Sequence, residues 1–261
     1  MIPLSLRLIR EHNRMYKCWM RMLWRWYGND APIVLMVHGF KTTKEECKSA
    51  FEQTADSFEH LMRHMTGKGW KALTQNELQK MVEKRCWKNK CFHLTFDDIY
   101  DTVYTEALPI LRELQIPFTA FVTKELVDKP SYITKEHLTE LSKDPLCRIG
   151  VHGLQHKVFR NMTPKEVKEQ CLGDREWIEQ QFGVKAETFA FPYGRIVEVS
   201  NQNRKQVREM GFSMIFSAIE GTVRASWFTG RWFLPRVNVS ETFVERFTTG
   251  KRLRYKDCEG R

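Results

Sequence analysis

The chain has 261 residues, of which 42% are hydrophobic, and it carries a formal net charge of +10. This length and composition predict one α/β domain with a sizeable core and short appendages, and they exclude a disordered chain. No apolar run approaches the roughly 20 residues of a membrane span or the roughly 7–15 residues of a signal-peptide core. The basic charge has no zinc-finger spacing or RNA-binding signature beside it, so we expect no nucleic-acid partner.

The cysteines indicate a reducing compartment. There are seven, an odd number, and they form no Cys-x-x-Cys pair. Several lie in predicted strands or helices, where a free thiol packs as a small hydrophobic group, whereas disulfide frameworks are typical of secreted domains. The prediction is therefore a cytoplasmic protein.

Residues 1–31 are predicted to form a basic amphipathic helix. Six basic residues recur at spacings of three and four and so share one helical stripe, with leucine, methionine and tryptophan away from it. The stripe comprises Arg7, Arg10, Arg14, Lys17, Arg21 and Arg25. Such a helix can lie in a membrane interface, which would place the protein peripherally on the cytoplasmic face of the membrane. It can equally pack its apolar face on the domain or on a second subunit.

Over residues 32–249, strand patterns alternate with helix patterns. Strands are predicted over residues 32–37, 70–73, 93–96, 117–122, 147–151, 188–191, 212–217 and 233–239. Helices are predicted over residues 51–67, 74–84, 102–114, 134–141, 163–182 and 201–210, and Ser240 is expected to cap a last one. The alternation indicates parallel β/α units. Residues 250–261 form a basic tail that we expect to be poorly ordered.

Two adjacent aspartates, Asp97 and Asp98, end the strand predicted over residues 93–96. Charged side chains at the end of a buried strand are costly unless they are paired or bind a metal. At the C-terminal edge of a β/α sheet or barrel they point into the mouth where ligands bind. Taken alone, the pair fits a turn or a helix N-cap better.

A histidine pair changes this interpretation. His152 and His156 follow the strand predicted over residues 147–151, and on one helical turn both imidazoles could face the same point. A lone pair of this kind is more often structural. Together with one aspartate from another strand end, however, the two imidazoles suit a divalent metal that keeps open positions for water and substrate.

At these residues the chain resembles the polysaccharide deacetylases of the NodB-homology type, carbohydrate esterase family 4. Three motifs carry the resemblance, in the expected order: Thr95-Phe96-Asp97-Asp98, His152-x-x-x-His156 and Pro192-Tyr193-Gly194. It spans residues 33–247. It implies an α/β fold, an irregular, incompletely closed (β/α) barrel of about seven parallel strands. It also implies a metal-dependent carbohydrate N-deacetylase, a hydrolase that acts on C–N bonds other than peptide bonds.

The resemblance also implies roles for individual residues. Asp98, His152 and His156 would be the metal ligands, with Zn²⁺ the usual ion and Co²⁺, Ni²⁺ or Fe²⁺ as alternatives. Asp97 would be the general base that accepts a proton from the attacking water. The backbone N–H of Tyr193 would hold the oxyanion of the tetrahedral intermediate.

The chain departs from the family pattern at three positions. Ile99 replaces a glycine, Ala190 replaces the arginine that orients the base, and Arg236 stands where a histidine supplies the general acid. An arginine side chain does not give up its proton, so we expect Arg236 to pair with Asp97 in place of the missing arginine. The general acid would then be His38, unless His38 is a satisfied core histidine or Asp97 passes the proton itself.

Four aromatic residues cluster near the last predicted strand: Trp227, Phe228, Trp232 and Phe233. Flat aromatic faces suit stacking on sugar rings, although such clusters are more often part of the core. We expect at least one of them to contact sugar, with a packing role for the cluster as the open alternative.

The predicted function is removal of an N-acetyl or N-formyl group from an amino sugar. The substrate would be an N-acetylated glycan or a lipid-linked glycan precursor in the biosynthesis of a surface polysaccharide such as lipopolysaccharide, O-antigen or capsule. The alternative is a catalytically silent family member that binds glycan or a biosynthetic partner. The departures at Ala190 and Arg236 favour that alternative, and the intact aspartate and histidine motifs disfavour it.

Overall fold

The computed structural model describes residues 30–49, 51–226 and 232–251. The helix predicted over residues 1–31 therefore lies almost entirely outside the described residues, as do Trp227, Phe228 and nearly all of the basic tail. Among the helices that are described, none is long and apolar enough to cross a membrane. Contact of the N-terminal helix with a membrane stays a prediction.

Ten strands and eight α-helices make up the described fold. The strands are β1 (Ile33–Val37), β2 (Phe40–Lys41), β3 (Gln53–Thr54), β4 (Lys71–Ala72), β5 (Cys91–Phe96), β6 (Phe118–Val122), β7 (Cys147–Val151), β8 (Thr188–Ala190), β9 (Met214–Glu220) and β10 (Phe233–Asn238). The helices are α1 (Ala55–Gly67), α2 (Gln75–Lys84), α3 (Leu108–Leu114), α4 (Lys135–Lys143), α5 (Pro164–Lys168), α6 (Asp174–Phe182), α7 (Asn201–Glu209) and α8 (Glu241–Thr248). Each predicted strand and helix of residues 32–249 thus has a counterpart.

Seven parallel strands form the barrel, in the order β1, β5, β6, β7, β8, β9 and β10. The ring is closed because β1 pairs with β10 on one side and, over its whole length, with β5 on the other. The (β/α) barrel of seven parallel strands is confirmed, but the expectation of incomplete closure is wrong. The shortest pairing in the ring is between β7 and β8, where only Val151 and Phe189 are in register.

Six of the eight α-helices begin at hydroxyl side chains that cap their first turn. Each cap accepts a hydrogen bond from a backbone N–H that has no partner within the helix. The caps are Thr54, Thr74, Thr134, Thr163, Ser200 and Ser240. The expected starts at Thr74, Thr163 and Ser240 are confirmed. Helix α1 begins later than residue 51 because Gln53 and Thr54 pair with β2 before Thr54 caps the helix.

Two segments predicted as continuous α-helices each contain a π-helical turn. One is Val103–Ala107, which precedes α3, and the other is Glu169–Gly173, which joins α5 to α6. A π turn inserts extra backbone into a helix and shifts the side chains that follow it, and such turns are frequent at functional sites. The second turn shifts residues that contact the loop after β7, as described below.

The strands of the barrel are buried on both faces, as expected of parallel strands covered by helices. Along β5, Phe92, Leu94 and Phe96 pack in the cluster that includes helix residues such as Phe58 of α1. The alternate residues, including His93, are also fully buried. Because side chains alternate along a strand, one face of β5 packs against helices and the other lines the barrel interior, which ends at Asp97.

Candidate active site

Asp98, His152 and His156 converge at the C-terminal end of the barrel. Asp98 Oδ1 lies 2.8 Å from His156 Nε2 and 3.3 Å from His152 Nε2. The three candidate ligand atoms all lie within 4.8 Å of one another. Asp98 Oδ1 is buried and has no hydrogen-bond partner among the described residues. Atoms that offer lone pairs toward a common point fit a metal cation, so the fold brings the predicted ligand set together.

A loop, and not a helical turn, aims the two histidines. Strand β7 ends at Val151, and Gly153 and His156 both adopt positive φ angles, of 87° and 50°. The backbone N–H of Leu154 donates to the carbonyl of Gln170, 3.0 Å away, instead of to a residue of its own turn. The expectation that one helical turn aligns the imidazoles is therefore wrong, because left-handed residues break the helical path.

The backbone of Ala190 sets the orientation of His152. His152 Nδ1 lies 2.9 Å from the carbonyl oxygen of Ala190, which can only accept a hydrogen bond. Nδ1 therefore carries a proton, and in the neutral imidazole Nε2 keeps its lone pair on the side of Asp98. Ala190 lacks the arginine side chain of the family pattern, but its carbonyl orients a candidate metal ligand.

The charges of the site favour binding of a cation. Burial alone would raise the pKa of Asp98, but the close imidazoles of His152 and His156 outweigh it, and the pKa lies well below its usual value. Burial would lower the pKa of His152, yet the charge of Asp97 and the close contact with Asp98 raise it. The two carboxylates thus favour the protonated, positively charged form of the His152 imidazole. A divalent cation can supply that charge and displace the imidazole proton.

Arg236 forms a bidentate ion pair with Asp97. Nη1 and Nη2 of Arg236 each donate to one carboxylate oxygen of Asp97 at 2.6 Å. Arg236 is 1% exposed, and its Nε donates to the carbonyl of Ser217 at 2.8 Å. Burial would raise the pKa of Asp97, but the charge of Arg236 lowers it below the usual value, so Asp97 is ionised. The pairing expected from the sequence is present, supplied from β10 instead of β8.

Ile99 maintains a turn that glycine would form without strain. Asp98 and Ile99 have φ angles of 62° and 46°, and a positive φ is rare for a β-branched residue. The side chain of Ile99 is 1% exposed, and its carbonyl accepts a hydrogen bond from the N–H of Ile133 at 3.0 Å. Burial and this hydrogen bond hold the left-handed pair in place, which directs Asp98 toward the histidines.

The Pro192-Tyr193-Gly194 turn lies opposite Asp98. Tyr193 has a φ of 59°, its ring is 4.8 Å from that of His156, and it is 49% exposed. A Cβ on Gly194 would lie 2.7 Å from the backbone nitrogen of Ala218, so only glycine fits there. Within the described parts of the chain, the Tyr193 N–H makes no hydrogen bond. It is therefore available to a ligand oxygen.

His38 follows β1 and faces the same mouth. Its Nδ1 is buried without a hydrogen-bond partner in the described residues, and its ring packs edge-on against Phe51 at 5.2 Å. Burial lowers the pKa of His38, opposed by the charges of Asp98 and Asp97. A satisfied core histidine, which was the alternative interpretation, has partners on both nitrogens. His38 does not fit that description.

Sequence reasoning missed two residues that hold the histidine loop. Asp174, which is fully buried, accepts hydrogen bonds from the backbone N–H groups of Lys124 and His152 at 3.0 and 3.2 Å. Burial raises the pKa of Asp174 to about 7, although these N–H groups oppose the shift. Gln170 accepts from the N–H of Gln155 at 2.9 Å.

A signal for Asp174 was present in the sequence. Val167, Cys171 and Ile178 are buried at helical spacing, and Asp174 lies on the same stripe. A carboxylate within an apolar helical stripe is costly unless it has partners, so it indicates a buried acceptor. The partners of Asp174 could not be predicted from the sequence, because the π turn over Glu169–Gly173 shifts the side chains that follow it away from regular α-helical positions.

A cavity of about 710 Å³ opens at the site. Its walls include six of the seven predicted residues: His38, Asp97, Asp98, His152, His156 and Tyr193. Arg236 is buried behind Asp97. The cavity continues past Tyr100 to Asp101 and Ser131, and on another side to Lys41 and Glu52. It is therefore large enough to admit more than the acetamide group of a substrate.

The aromatic cluster near the last strand does not belong to this cavity. Phe233 is 1% exposed, and Trp232 packs against the core. Neither residue lines the part of the cavity wall that the described residues form. Phe233 and Trp232 therefore have the packing role that was the open alternative, and sugar contact by Trp227 or Phe228, which lie outside the described residues, stays a prediction.

The sequence model of a family described as polysaccharide deacetylase matches residues 84–215, half of the chain. The chain belongs to the polysaccharide deacetylase family. This membership confirms the resemblance that the three motifs suggested. It also confirms that the protein belongs to a class of enzymes, hydrolases that act on C–N bonds.

Individual polysaccharide deacetylases are similar over most of the chain. The poly-beta-1,6-N-acetyl-D-glucosamine N-deacetylase of Staphylococcus aureus is 23% identical over 222 residues, which cover 80% of this chain and 74% of that protein. The structure of the Streptococcus pyogenes deacetylase PplD aligns with a TM-score of 0.75 at 18% identity, covering 85% of this chain and 99% of that one. IcaB from Ammonifex degensii aligns with a TM-score of 0.73 at 22% identity, covering 86% and 98%. The two structures show a shared fold.

Proposed function

We propose that this polysaccharide deacetylase is a divalent-metal-dependent enzyme that removes acetyl groups from the amino sugars of a surface polysaccharide. One observation carries the proposal: an ionised Asp97, held by Arg236, lies beside the Asp98–His152–His156 set at the mouth of the cavity. The relative in Staphylococcus aureus is named for poly-beta-1,6-N-acetyl-D-glucosamine. Oligosaccharides of that polymer are therefore the first substrates to test.

Asp98, His152 and His156 would hold the metal. The unpartnered Asp98 Oδ1 and the two Nε2 atoms form a mixed nitrogen and oxygen donor set, which suits Zn²⁺ and also Co²⁺, Ni²⁺ or Fe²⁺. When bound, such an ion lowers the pKa of a coordinated water and polarises the acetamide carbonyl. We expect Zn²⁺ to be the native ion.

Asp97 would accept the proton of the attacking water. Its carboxylate is ionised, and the bidentate contact with Arg236 fixes the plane of the carboxylate at the cavity wall. The carbonyl oxygen becomes negative as water attacks. The free N–H of Tyr193, which the left-handed turn directs, would donate to that oxygen.

His38 would give a proton to the leaving amine. Breaking the C–N bond leaves acetate and an amine, and the amine nitrogen must gain a proton. Arg236 cannot supply it, because a guanidinium keeps its proton. His38 lines the cavity with a buried, unpartnered nitrogen. Replacing His38 by Gln should lower kcat by about 10²-fold or more, whereas unchanged turnover would leave the proton transfer to Asp97.

The biological setting forms the finer part of the proposal. We place the reaction in the assembly of a lipopolysaccharide, O-antigen or capsule polysaccharide at the cytoplasmic face of the membrane. The support is the basic stripe predicted within residues 1–31 and the cysteine usage. Sedimentation of the full chain with anionic vesicles tests this setting. Binding that is lost when the six stripe residues are changed to Gln is the expected result, and absence of binding at low salt would refute it.

The first experiment measures metal content and then acetate release. Wild type should bind about one divalent ion per chain and release acetate, whereas Asp98→Ala and His152→Ala should lose both. Asp56→Ala and His60→Ala, which change exposed residues of α1, serve as matched controls. Failure of the wild type to bind metal after reconstitution would overturn the proposal. Metal binding without acetate from any N-acetylated or N-formylated sugar would instead establish the catalytically silent alternative.

A further inference from the structure

We propose that the cavity contains a subsite for a positively charged glucosamine unit, formed around the carboxylate of Asp101. The enzyme would then act preferentially on glycans that already carry a deacetylated sugar beside the reacting one. This inference rests on the proposed function and names a substrate feature of the same site. Its starting point is the continuation of the cavity past Tyr100 to Asp101 and Ser131.

The other carboxylates of the cavity wall have cationic or imidazole partners. Asp97 is paired with Arg236, and Glu52 lies 3.3 Å from the ammonium of Lys41. Asp98 faces two imidazoles. The one further carboxylate of the cavity wall formed by the described residues is that of Asp101, whose single ion-pair contact is with one imidazole, that of His137.

The carboxylate of Asp101 keeps one oxygen free. Its Oδ1 accepts a hydrogen bond from His137 Nδ1 at 2.7 Å, which a neutral imidazole can donate with its single N–H. Over the described ranges of the chain, Oδ2 makes no hydrogen bond. The side chain is 32% exposed. A ligand in the cavity can therefore reach a negative oxygen that has not been neutralised by a guanidinium or an ammonium.

Asp101 is held in place before any ligand binds. Its N–H donates to the carbonyl of Ser131 at 3.0 Å. The ring of His137, which donates to Asp101, stacks on Tyr104 with ring centres 4.1 Å apart. A preorganised carboxylate binds a cation without the entropic cost of ordering a free side chain.

The wall between Asp101 and the metal ligands is rigid as well. The ring of Tyr100 stacks on Tyr132 with centres 4.7 Å apart. On its other side it lies so close to Gly39 that a Cβ there would be 2.8 Å from the ring. Asp101 follows Asp98 by three residues, so their Cα atoms are at most about 11 Å apart. Asp101 is thus placed to meet the neighbouring sugar of a chain bound with its acetamide at Asp98.

The reaction itself produces the cation that this subsite would bind. Hydrolysis of the acetamide leaves a primary amine on the sugar, which takes up a proton to become an ammonium. A partly exposed ion pair contributes up to about fivefold in affinity at low salt. A glycan that has lost one acetyl group would therefore bind more tightly when its ammonium lies at Asp101.

Two oligosaccharides test the inference. One is a fully N-acetylated β-1,6-linked pentasaccharide, and the other carries a single glucosamine unit. Wild type should show a kcat/KM about fivefold higher for the second at low salt. Asp101→Asn should bring the ratio to one, and Asp101→Glu should restore part of it. Glu106→Gln removes an exposed carboxylate outside the cavity and should keep the wild-type ratio.

A binding measurement separates the two possible failures. A fully deacetylated oligosaccharide carries no acetyl group, so calorimetry reports its affinity without turnover. Affinity should fall about fivefold in Asp101→Asn and with added salt. Equal rates of acetate release from both pentasaccharides in wild type, or equal losses on acetylated and deacetylated chains in Asp101→Asn, would overturn the subsite. Acetate from neither pentasaccharide, with Asp101-dependent binding intact, would overturn the proposed function alone.

Discussion

The two ends of the barrel interior both bury polar side chains, but at the C-terminal end some of the buried polar atoms have no partner. At the N-terminal end, His93 Nδ1 lies 2.8 Å from the carbonyl of Leu73 and its Nε2 lies 3.0 Å from Thr119 Oγ1. At the C-terminal end, His38 Nδ1 and Asp98 Oδ1 have no hydrogen-bond partners in the described structure. Buried polar atoms are normally satisfied. The contrast indicates that the N-terminal end stabilises the fold and that the C-terminal end offers free polar atoms to a ligand.

At the C-terminal end, the ion pair of Arg236 and Asp97 is buried and fully partnered. Arg236→Ala should lower the free energy of unfolding by about 3–5 kcal/mol, because it leaves the buried carboxylate of Asp97 without a partner. Arg236→Lys should fold, but its kcat should fall at least about tenfold, because an ammonium cannot make the bidentate contact. Thermal melting and acetate release measure the two effects.

A double variant sharpens this prediction. Ala190→Arg combined with Arg236→Ala returns the guanidinium to β8, where the family pattern has it, and uses the volume that Arg236 vacates. It should recover activity relative to Arg236→Ala. Unchanged turnover in Arg236→Ala and Arg236→Lys would show that the orientation of Asp97 does not depend on this arginine.

Replacing His93 should change the free energy of unfolding without changing catalysis. Burial lowers the pKa of His93 to about 4, from an ordinary value of 6.5. Between these values the unfolded chain binds a proton that the folded chain does not, so stability is full above pH 6.5 and falls as the pH drops toward 4. The difference corresponds to about 3 kcal/mol.

The matched variant is His93→Gln. The difference in unfolding free energy between wild type and this variant should shrink by about 3 kcal/mol from pH 7 to pH 4, as measured by urea denaturation. Metal content at pH 7 should be unchanged. A parallel pH dependence in both proteins would contradict the assignment of His93 to the structural end.

Replacing Asp174 should lower the metal affinity more than it lowers the stability of the fold. Asp174→Asn keeps the shape of the side chain but replaces one acceptor oxygen with an NH₂ group, which cannot accept from the N–H of His152 or Lys124. We expect metal affinity to fall about 10–100-fold. Asp144→Asn is the control, since Asp144 is buried against Arg112 away from the mouth. Equal metal affinities in the two variants would refute a positioning role for Asp174.

The smallest expected effect concerns the strained turn. Ile99→Ala and Ile99→Gly both remove a buried side chain, but only glycine adopts the positive φ of this position without cost. The alanine variant should therefore be about 1 kcal/mol less stable than the glycine variant, the reverse of the usual order. Denaturant titration of both variants decides it. The usual order would show that Ile99 is not strained.

Much of the fold could be predicted, because its signals are local. The helix starts at Thr74, Thr163 and Ser240 follow from hydroxyl caps, and the strand ends follow from apolar runs that stop at polar residues. The packing of Phe233 could not be predicted. The local sequence is the same whether an aromatic ring faces a sugar or the core, because long-range contacts decide which surface the ring meets.

The sequence by itself determined the chemistry of the site: a carboxylate pair, two imidazoles and a glycine-bearing turn at three strand ends. It also indicated that Arg236 takes the place of an arginine absent at Ala190, because an arginine cannot serve as an acid. These conclusions depend only on which side chains are present and in what order.

Only the tertiary structure decided how these groups meet. Closure of the barrel brings β10 beside β1 and places Arg236 at 2.6 Å from Asp97, although 139 residues separate them in the chain. The loop that aims His156 depends on a π turn that presents Gln170 and Asp174. Contacts of this kind arise from packing distant elements against one another, so no local pattern encodes their distances.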